Sequence, residues 1–156
     1  MWTNTCCSHP LGVPTETGSS LPASISGVRR AAVRKLQHEL GIASPSVPIS
    51  SFNFLTRIHY LAASDGKWGE HEIDYILFIK ADVTLEVNEN EVRDWKYVSM
   101  GELKEMFRQE KKEGTSFTPW FRLICETMLF EWWEAMEKEG TLPEKYKNEQ
   151  GIRRML

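Results

Sequence analysis

The stretch 68–80 constrains the fold of this chain more than any other. Read as a β-strand, it places the carboxylates of Glu70, Glu72 and Asp74 on one face, close to one end. Beyond these carboxylates the stretch is apolar on both faces. That pattern is typical of a strand covered on both sides, so we predict that 68–80 is a buried central strand of a sheet.

The three carboxylates need partners, because a charge at the mouth of a buried strand is costly unless it is paired or bound to a cation. One interpretation gives them Lys or Arg partners at a charged strand end. The other is a metal or acid–base site. We favour the second, because Glu70 and Glu72 share a face and because Cys7, His9 and Tyr60 also need a common location.

Residues 3–10, TNTCCSHP, place two thiols and an imidazole within four positions. In extended backbone Cys7 and His9 point to the same side. Cysteine acts as a nucleophile or proton carrier when its thiolate is stabilised, and histidine binds metals. Taken alone the motif favours a loop with two small buried thiols and a solvated histidine, and Cys6 keeps that interpretation. A functional role for Cys7 and His9 therefore depends on partners elsewhere in the chain.

The first half of the chain predicts a loop, a helix and a strand. Residues 11–24 are rich in Gly, Pro, Ser and Thr, which favours a flexible loop. A helix follows at 26–41, with Ser26 as its N-cap and Gly41 as its C′ residue. Residues 52–61 alternate loosely between apolar and polar side chains, which predicts a strand.

The second half predicts one more strand and two helices. The strand is predicted at 93–98, from its alternating pattern. Ser99 and Glu102 fit a capping box, so a helix is predicted from there to Gly114. The last helix starts at Thr118 as N-cap, with Pro119 at its first position. Its wide apolar set is mostly core, except that Trp120, in the first turn, can line a pocket mouth. Beyond residue 140 the tail is polar.

Composition limits the classes of function. Apolar residues make up 41% and charged residues 26%, as in a single globular domain. The net charge of −3 gives no basic field for nucleic acid or an anionic membrane. Three cysteines, two of them adjacent, do not make a disulfide framework, which favours a reducing, intracellular setting. No apolar run in the sequence is long enough to span a bilayer.

The predicted helix ends in R-K-L-Q-H-E-L-G-I, at residues 34–42, and resembles the Nudix signature R-E-U-x-E-E-x-G-U, in which U is a bulky apolar residue. Lys35 and His38 replace two of the signature carboxylates that Nudix hydrolases need for their metals, which disfavours pyrophosphate hydrolysis. Lys35 and Glu39 form either a solvated i,i+4 pair or a cation and carboxylate aimed at a phosphate and its metal. The positions that match are Arg34, Leu36, Glu39, Gly41 and Ile42.

Together with this helix, the segments 3–10, 68–75 and 118–121 closely resemble the type I isopentenyl-diphosphate delta-isomerases, a branch of the Nudix superfamily. The resemblance runs from about Trp2 to Trp133. It implies an α/β (α+β) fold with a Nudix-like mixed sheet sandwiched between helices, as one domain over 1–140 followed by a polar tail at 141–156. It also implies interconversion of isopentenyl and dimethylallyl diphosphate through a tertiary carbocation, in isoprenoid and sterol precursor biosynthesis.

The resemblance also implies roles for the residues of the candidate site. Cys7 is one proton-transfer residue, and Glu72, assisted by Tyr60, is the other, on the opposite face of the substrate. His9, Glu70 and Glu72 are ligands of a divalent metal ion, for which Mg²⁺ is expected, with Mn²⁺ or Zn²⁺ as alternatives.

Three further roles concern the diphosphate and the carbocation. The resemblance implies that Glu39 helps hold a second Mg²⁺ against the diphosphate. Lys35 stands where the family has an arginine that contacts the diphosphate. Trp120 can offer its ring face to the carbocation, because the aromatic quadrupole attracts positive charge.

The isomerase family normally carries an N-terminal segment before the position of Trp2, with two more histidine ligands, basic residues for the diphosphate and one or more strands. We expect this chain to lack those strands and to be strongly impaired in activity. Two alternatives stay open: a Nudix-type diphosphohydrolase, and a truncated, catalytically impaired isoform. We expect a cytoplasmic monomer acting on a small allylic or homoallylic diphosphate, without nucleic-acid or membrane partners; a peroxisome or plastid location is the alternative.

Overall fold

A computed structural model describes residues 1–63, 66–114, 116–148 and 150–155, apart from the side chains of 111–113. It has a three-stranded sheet with helices packed against it, which confirms the predicted mixed α/β class. The strands are β1 Asn53–Ala63, β2 Gly69–Phe78 and β3 Ile152–Met155. The helices are α1 Leu21–Leu40, α2 Met100–Glu113, α3 Pro119–Ile124 and α4 Phe130–Glu139, with short 3₁₀ turns at Ser44–Ser46, Ile49–Ser51 and Glu144–Tyr146.

Strand β1 is the centre of the sheet, antiparallel to β2 and parallel to β3. Its core residues are almost completely buried, with Leu55 and Ile58 at 0% exposure. The prediction that 68–80 is the central strand is therefore wrong, because β2 pairs with β1 alone among the described residues. Ile73 of β2 is 50% exposed, so the apolar pattern on its face is not a sign of burial at that position.

The two faces of the sheet are nevertheless both packed at the apolar end of β2. On one face Ile76 and Phe78 contact the cluster around Ile58 and Trp132, which includes residues of α3 and α4. On the other face Leu77 packs in the cluster formed with α1. The helices therefore lie on both sides of the sheet, and the opposite end of β2, with its carboxylates, stays near the surface.

Helix α1 begins earlier than predicted. Its N-cap is Ser20, whose Oγ accepts a hydrogen bond from the Ala23 N–H, and Pro22 lies in the first turn. The predicted N-cap at Ser26 is wrong. A proline is tolerated in the first turn of a helix, so α1 begins at Leu21, within the segment predicted as a loop. Gly41 ends the helix with φ +64°, as predicted for a C′ glycine. In the described part of the chain, no helix is long and apolar enough to cross a membrane.

Helix α2 has the predicted capping box, in which the Ser99 and Glu102 side chains each bond to the other residue's backbone N–H. The strand predicted at 93–98 is wrong, since this segment joins no strand ladder in the described structure. Its alternation instead reflects a segment lying along the surface. Trp95 and Tyr97 are 48% and 65% exposed, whereas Val98 packs against the cluster around Leu103.

The last helical region starts at Thr118 and Pro119, as predicted, and continues from α3 through a π-helical turn at Cys125–Leu129 into α4. The Thr118 hydroxyl makes no capping bond. It lies 2.9 Å from the Thr3 hydroxyl instead, so it ties the helix start to the N-terminal segment. Trp132 is 2% exposed beneath the sheet, which agrees with the predicted core role of the apolar face.

The residues after 140 contribute to the core, although the sequence predicts no element there. Leu142 is 2% exposed, and Met155 packs beside Tyr60 in the cluster under the sheet. Strand β3 pairs with β1 from Arg57 to Tyr60. The sequence of β3 is Ile-Arg-Arg-Met, in which the two consecutive arginines break the apolar alternation that would predict a strand.

Candidate active site

The N-terminal segment is anchored at its first residues to the start of α3. The Trp2 N–H donates to Ser116 O over 2.7 Å, and the Thr118 N–H donates to Trp2 O over 2.9 Å. The Asn4 side chain then donates to the Cys6 carbonyl and accepts a hydrogen bond from Trp120 Nε1 over 3.1 Å. These contacts fix the backbone just before the two cysteines.

A second anchor holds the segment after the cysteines. Glu16 is 7% exposed and accepts two hydrogen bonds from Arg34, one from Nε at 2.6 Å and one from Nη2 at 2.8 Å. The same guanidinium donates to the carbonyl of His9 over 3.2 Å. Glu16 also accepts from the Leu11 N–H over 2.8 Å. The segment that carries Cys7 and His9 is therefore held from both sides, by α3 and by α1.

This second anchor requires a close approach of the loop to α1. A Cβ atom at Gly27 would collide with the Glu16 carbonyl oxygen. A glycine at this helical position lets the turn that carries Glu16 lie directly on the helix. Gly27 and Arg34 of α1, together with the Leu11 N–H of the loop, thus set the position of the Glu16 carboxylate.

The carboxylates of β2 meet Tyr60 on the same face of the sheet. Tyr60 is paired with Glu72 across the β1–β2 ladder. Its hydroxyl lies 3.0 Å from Glu70 Oε2 and 3.2 Å from Glu72 Oε2. Since a phenol has one proton, the hydroxyl donates to one carboxylate at a time. Burial, the charge of Asp74 and the bond to Glu70 all raise the pKa of Tyr60, which stays protonated.

Asp74 completes the row of carboxylates. Burial raises its pKa to about 6, and the negative charges of Glu72 and Glu70 add to the effect. A nearby His9 acts in the opposite direction. The face therefore holds more negative charge than its protein partners balance, which is the condition under which a cation or a proton binds.

Cys7 lies beside these carboxylates, although it is exposed as a residue. Desolvation of its sulfur, followed by the charges of Asp74, Cys6, Glu70 and Glu72, raises the pKa of the thiol to about 12. The thiol is therefore protonated at neutral pH and suited to donate a proton rather than to act as a thiolate nucleophile.

Cys6 faces the other way, towards α1. It is partly buried in the cluster around Leu36, and burial followed by the charge of Glu39 raises the pKa of its thiol to about 11. This agrees with the small structural thiol predicted for it. The adjacent cysteines thus face two groups of charges, with carboxylates of β2 beside Cys7 and the ion pair of α1 beside Cys6.

His9 reaches the carboxylate face from the open side. Its Nε2 lies 3.2 Å from Glu72 Oε1, and its side chain is 84% exposed. The ring is accordingly free to turn, and Glu72 is its only ionic contact among the described residues. Cys7, His9, Glu70, Glu72 and Tyr60 are thus brought together, as the sequence predicts.

Lys35 and Glu39 bind each other in the structure. Lys35 Nζ lies 2.8 Å from Glu39 Oε1 and 3.9 Å from Glu91 Oε2. The Lys35 and Glu39 side chains are 14% and 16% exposed. The bond to Glu39 raises the pKa of Lys35, despite its partial burial. This charged pair lies beside Cys6, so it borders the site without joining the carboxylate row.

Trp120 stands at the edge of the same site. Its ring centroid is 6.3 Å from that of Tyr60, with the planes tilted by 43°. The indole N–H is held by Asn4, which fixes the ring's orientation. Trp120 therefore lines the face that carries Tyr60 and the two glutamates.

The donor set suits a divalent metal in its chemistry but not in its arrangement. Imidazole and carboxylate oxygens are suitable ligands, and His9, Glu70 and Glu72 supply them. Among the described residues, however, no group of three or more His, Cys, Asp or Glu side chains converges to hold a metal ion. The Tyr60 hydroxyl lies between the two glutamates, and His9 contacts Glu72 alone.

A groove elsewhere on the surface is separate from this chemistry. Its volume is about 590 Å³, and it runs along the side of α1 away from the carboxylates. Neither Cys7 nor any carboxylate of β2 lines it. Its lining residues are Arg30, Val33, Arg34, Gln37, His38, Ser44 and Ile49.

Three residues that the sequence does not indicate support the site. Asn4 and Glu16 fix the two ends of the cysteine segment, and Glu91 contacts Lys35 from the loop after β2. Each lies in a loop and far along the chain from its partner. A conspicuous acidic residue inside a Gly- and Pro-rich loop is the one available signal for Glu16, and none is visible for Asn4 or Glu91.

Known proteins match the chain over nearly its whole length. It is 63% identical over 155 residues to the isopentenyl-diphosphate delta-isomerase of Gibberella zeae, covering 99% of this chain and 59% of that protein. The Aspergillus fumigatus isomerase is 62% identical over 164 residues, covering 99% and 57%. The Schizosaccharomyces pombe isomerase is 58% identical over 137 residues, covering 88% and 58%.

The chain thus spans somewhat under two thirds of the length of these relatives. The profile of the NUDIX domain matches residues 26–121, which is more than half of the chain. This range contains most of α1, including its degenerate signature, together with both strands of the carboxylate hairpin and the start of α3. The chain therefore belongs to the Nudix superfamily, and its similarity within that superfamily is to proteins named isopentenyl-diphosphate delta-isomerases.

Proposed function

We propose that this chain carries the proton-transfer site of an isopentenyl-diphosphate delta-isomerase. The observation that supports the proposal is the position of a protonated thiol, Cys7, beside Glu72 and Glu70, with the Tyr60 hydroxyl within hydrogen-bond distance of both glutamates. An acid and a base on one small face are what a double-bond shift by proton addition and removal requires.

The substrate gains one proton and loses one, and return of a proton from Glu72 to Cys7 through solvent restores both groups. The Cys7 thiol gives its proton to the terminal carbon of the substrate double bond, which leaves a tertiary carbocation. The Glu72 carboxylate then takes a proton from the carbon that lies between the cationic carbon and the methylene group bearing the diphosphate. The new double bond forms between that carbon and the former cationic carbon. Tyr60 holds Glu72 by its hydrogen bond. Trp120 faces the same space, where its ring can stabilise the cation.

Metal binding is part of the proposal. We propose Mg²⁺ as the physiological ion, with Glu39 near the diphosphate and with His9, Glu70 and Glu72 as the ligands that would turn towards the ion on the carboxylate face. When bound, the ion would neutralise diphosphate charge. Burial raises the Asp74 pKa most, and the negative charges of Glu72 and Glu70, which add to that rise, support cation binding on this face. A cytoplasmic location and a role in isoprenoid and sterol precursor supply remain parts of the same proposal.

The test is an isomerisation assay of the 156-residue chain with isopentenyl diphosphate and Mg²⁺, run in D₂O so that the product records proton delivery. We expect Cys7→Ala to lower the rate by about 10²–10⁴-fold, the usual contribution of a general acid. Cys6→Ala is the matched control, because it removes the adjacent thiol, which faces α1. Equal losses from both variants would reject the role of Cys7.

The superfamily match supports one competing function, hydrolysis of the diphosphate. The same preparation separates the two. Release of inorganic phosphate or of a monophosphate, without isomerised product, would favour a diphosphohydrolase and overturn the isomerase proposal. Isomerised product with deuterium at the new methyl group would support it.

A further inference from the structure

We propose that His59 and His71 form a two-histidine site for a divalent transition metal ion on the outer face of the β1–β2 hairpin. The two Nε2 atoms lie 2.6 Å apart, and the rings stack with their centroids 4.8 Å apart and their planes 22° from parallel. Both imidazoles therefore aim the same nitrogen at one point. The inference is independent of the proposed isomerase activity.

The sheet register makes this site separate from the carboxylate face. His59 pairs with Ile73 across the ladder, and Leu61 pairs with His71, so the two histidines are diagonal neighbours. Side chains alternate along each strand, and Tyr60, Glu70 and Glu72 therefore point to the opposite side of the hairpin. Ile73 and Leu61, which flank the histidines, are 50% and 63% exposed, so the outer face is open to solvent here.

The chemistry of two imidazoles selects the class of ligand. Imidazole nitrogen suits Zn²⁺, Cu²⁺ and Ni²⁺, whereas Mg²⁺ prefers oxygen. As a metal-free pair the rings make one hydrogen bond, which requires one of them to offer an unprotonated nitrogen. A metal ion replaces that single bond with two metal–nitrogen bonds. The pair offers two imidazole nitrogens, which suit a transition metal ion, and no oxygen ligand of the kind that Mg²⁺ favours.

The geometry needs only a small adjustment. Two nitrogens about 2.0–2.1 Å from a tetrahedral Zn²⁺ lie roughly 3.3 Å apart. The rings must therefore separate by about 0.7 Å from the distance in the structure. His71 is exposed and His59 is partly exposed, so ring rotation meets little packing. Water fills the remaining positions, since no third His, Cys, Asp or Glu converges there among the described residues.

The charges around the pair set its affinity. Arg154 of β3 lies beside His59 in the parallel ladder, on the same face. Arg57 lies two residues before His59, with its guanidinium bonded to Gln150 O. These positive groups oppose a bound cation. We therefore expect a site weaker than a closed four-ligand zinc site, with an affinity that rises when the Arg154 charge is removed.

Such a site joins the two strands that carry the catalytic groups. A metal ion held by one residue of β1 and one of β2 stabilises the hairpin, because it binds the folded state and not the unfolded one. The hairpin places Tyr60 against Glu70 and Glu72 on its other face. Occupation of the outer site is therefore expected to raise the thermal stability of this part of the fold without contacting substrate.

The experiment is a Zn²⁺ titration of the 156-residue protein by calorimetry, in saturating Mg²⁺, with ¹H–¹⁵N spectra of the histidine rings. We expect the Nε2 signals of His59 and His71 to shift together on Zn²⁺ addition. His71→Gln and His59→Gln should each weaken this binding more than about tenfold, because one of only two protein ligands is lost. Arg154→Gln should tighten it.

Two controls separate this site from others. His38→Gln removes a histidine on α1 and should leave Zn²⁺ binding unchanged. His9→Gln removes the histidine of the carboxylate face and should leave the paired His59 and His71 shifts intact. If Zn²⁺ shifts neither ring of the pair in the unaltered protein, the contact is a hydrogen bond only and the proposal is wrong. Because the ring spectra need no substitution, that result holds even if a variant fails to fold.

Discussion

Arg34 and Lys35 are adjacent on α1 and carry the same charge, yet they make different kinds of ion pair. Arg34 makes a two-bond contact with the buried Glu16 and also donates to His9 O. Lys35 makes an i,i+4 contact with Glu39 and a longer one with Glu91. The first pair connects two distant parts of the chain, and the second lies mainly within one helix.

The difference is visible in how each pair responds to protons. The Arg34 guanidinium holds the pKa of Glu16 at about 2, well below its ordinary value of 4.5. Glu39 raises the pKa of Lys35 above its ordinary value of 10.5. The first contribution to stability is therefore lost in acid and the second in alkali. The planar guanidinium of Arg34 holds Glu16 by two hydrogen bonds in a fixed geometry, which suits a structural contact. The flexible ammonium group of Lys35 can turn towards a ligand.

Glu16→Gln should give the largest loss of stability in this comparison. The amide keeps the shape of the side chain but loses charge-assisted bonds to Arg34, which contribute about 1.5–3 kcal/mol. Because the folded pKa lies below the unfolded value, the loss is complete above about pH 4.5 and shrinks as the pH falls towards about 2. Urea denaturation of both proteins across this pH range measures the difference.

The matched control for that measurement is Glu105→Gln. Glu105 bonds Arg108 at 3.0 Å, but the two side chains are 47% and 73% exposed. An exposed pair of this kind contributes about 0.2–1 kcal/mol. If the Glu16 and Glu105 variants lost equal stability at pH 7, the clamp between α1 and the cysteine segment would be no stronger than a surface ion pair.

Arg34→Lys should have an intermediate effect. The substitution keeps the charge near Glu16 but removes the planar fork and the bond to His9 O, so we expect a loss of about 1 kcal/mol. Because the His9 backbone is then released, kcat for isomerisation should fall more than the KM rises. Urea denaturation and steady-state kinetics give the two quantities. A rise in KM with kcat unchanged would contradict a positioning role.

These two residues also show what the sequence can predict about the site. Arg34 and Lys35 are both found by the Nudix-like pattern, and the ion pair of Lys35 with Glu39 follows from helical spacing. The partner of Arg34 does not, because Glu16 lies 18 residues earlier, in a loop without periodicity. The grouping of Cys7, His9, Tyr60, Glu70 and Glu72 rests on the resemblance to the isomerases, while side-chain alternation alone places Glu70 and Glu72 on one face and Cys7 and His9 on one side.

The fold shows the same limit. The sequence predicts the helix ends at Gly41, Ser99 and Gly114, since capping chemistry is local, and the start at Thr118 follows from Pro119 at the first helical position. The position of strands within the sheet is not predicted in this way, because pairing joins distant residues. The sequence pattern predicts β2 as the central strand, whereas the central strand is β1. It gives no sign of β3, because the place of β3 beside β1 depends on contacts between distant residues, such as the hydrogen bond from Asn148 N–H to Leu55 O. Alternation also predicted a strand at 93–98, where it marks a surface segment.

Lys35→Gln should have the smallest effect on stability and a separate effect on binding. An i,i+4 pair on a helix contributes about 0.3–0.5 kcal/mol, and Lys before Glu is the less favourable order. The loss should be present in full below the ordinary lysine pKa of 10.5, should shrink above it, and should vanish as the pH passes the raised pKa of the folded lysine. If Lys35 contacts the diphosphate, KM should rise about tenfold, which is about 1.4 kcal/mol of lost ground-state binding, with kcat retained. Glu91→Gln is the control, because it removes only the longer contact of Lys35. An equal rise in KM for that variant would show that Lys35 acts through its ion pairs and does not contact the substrate.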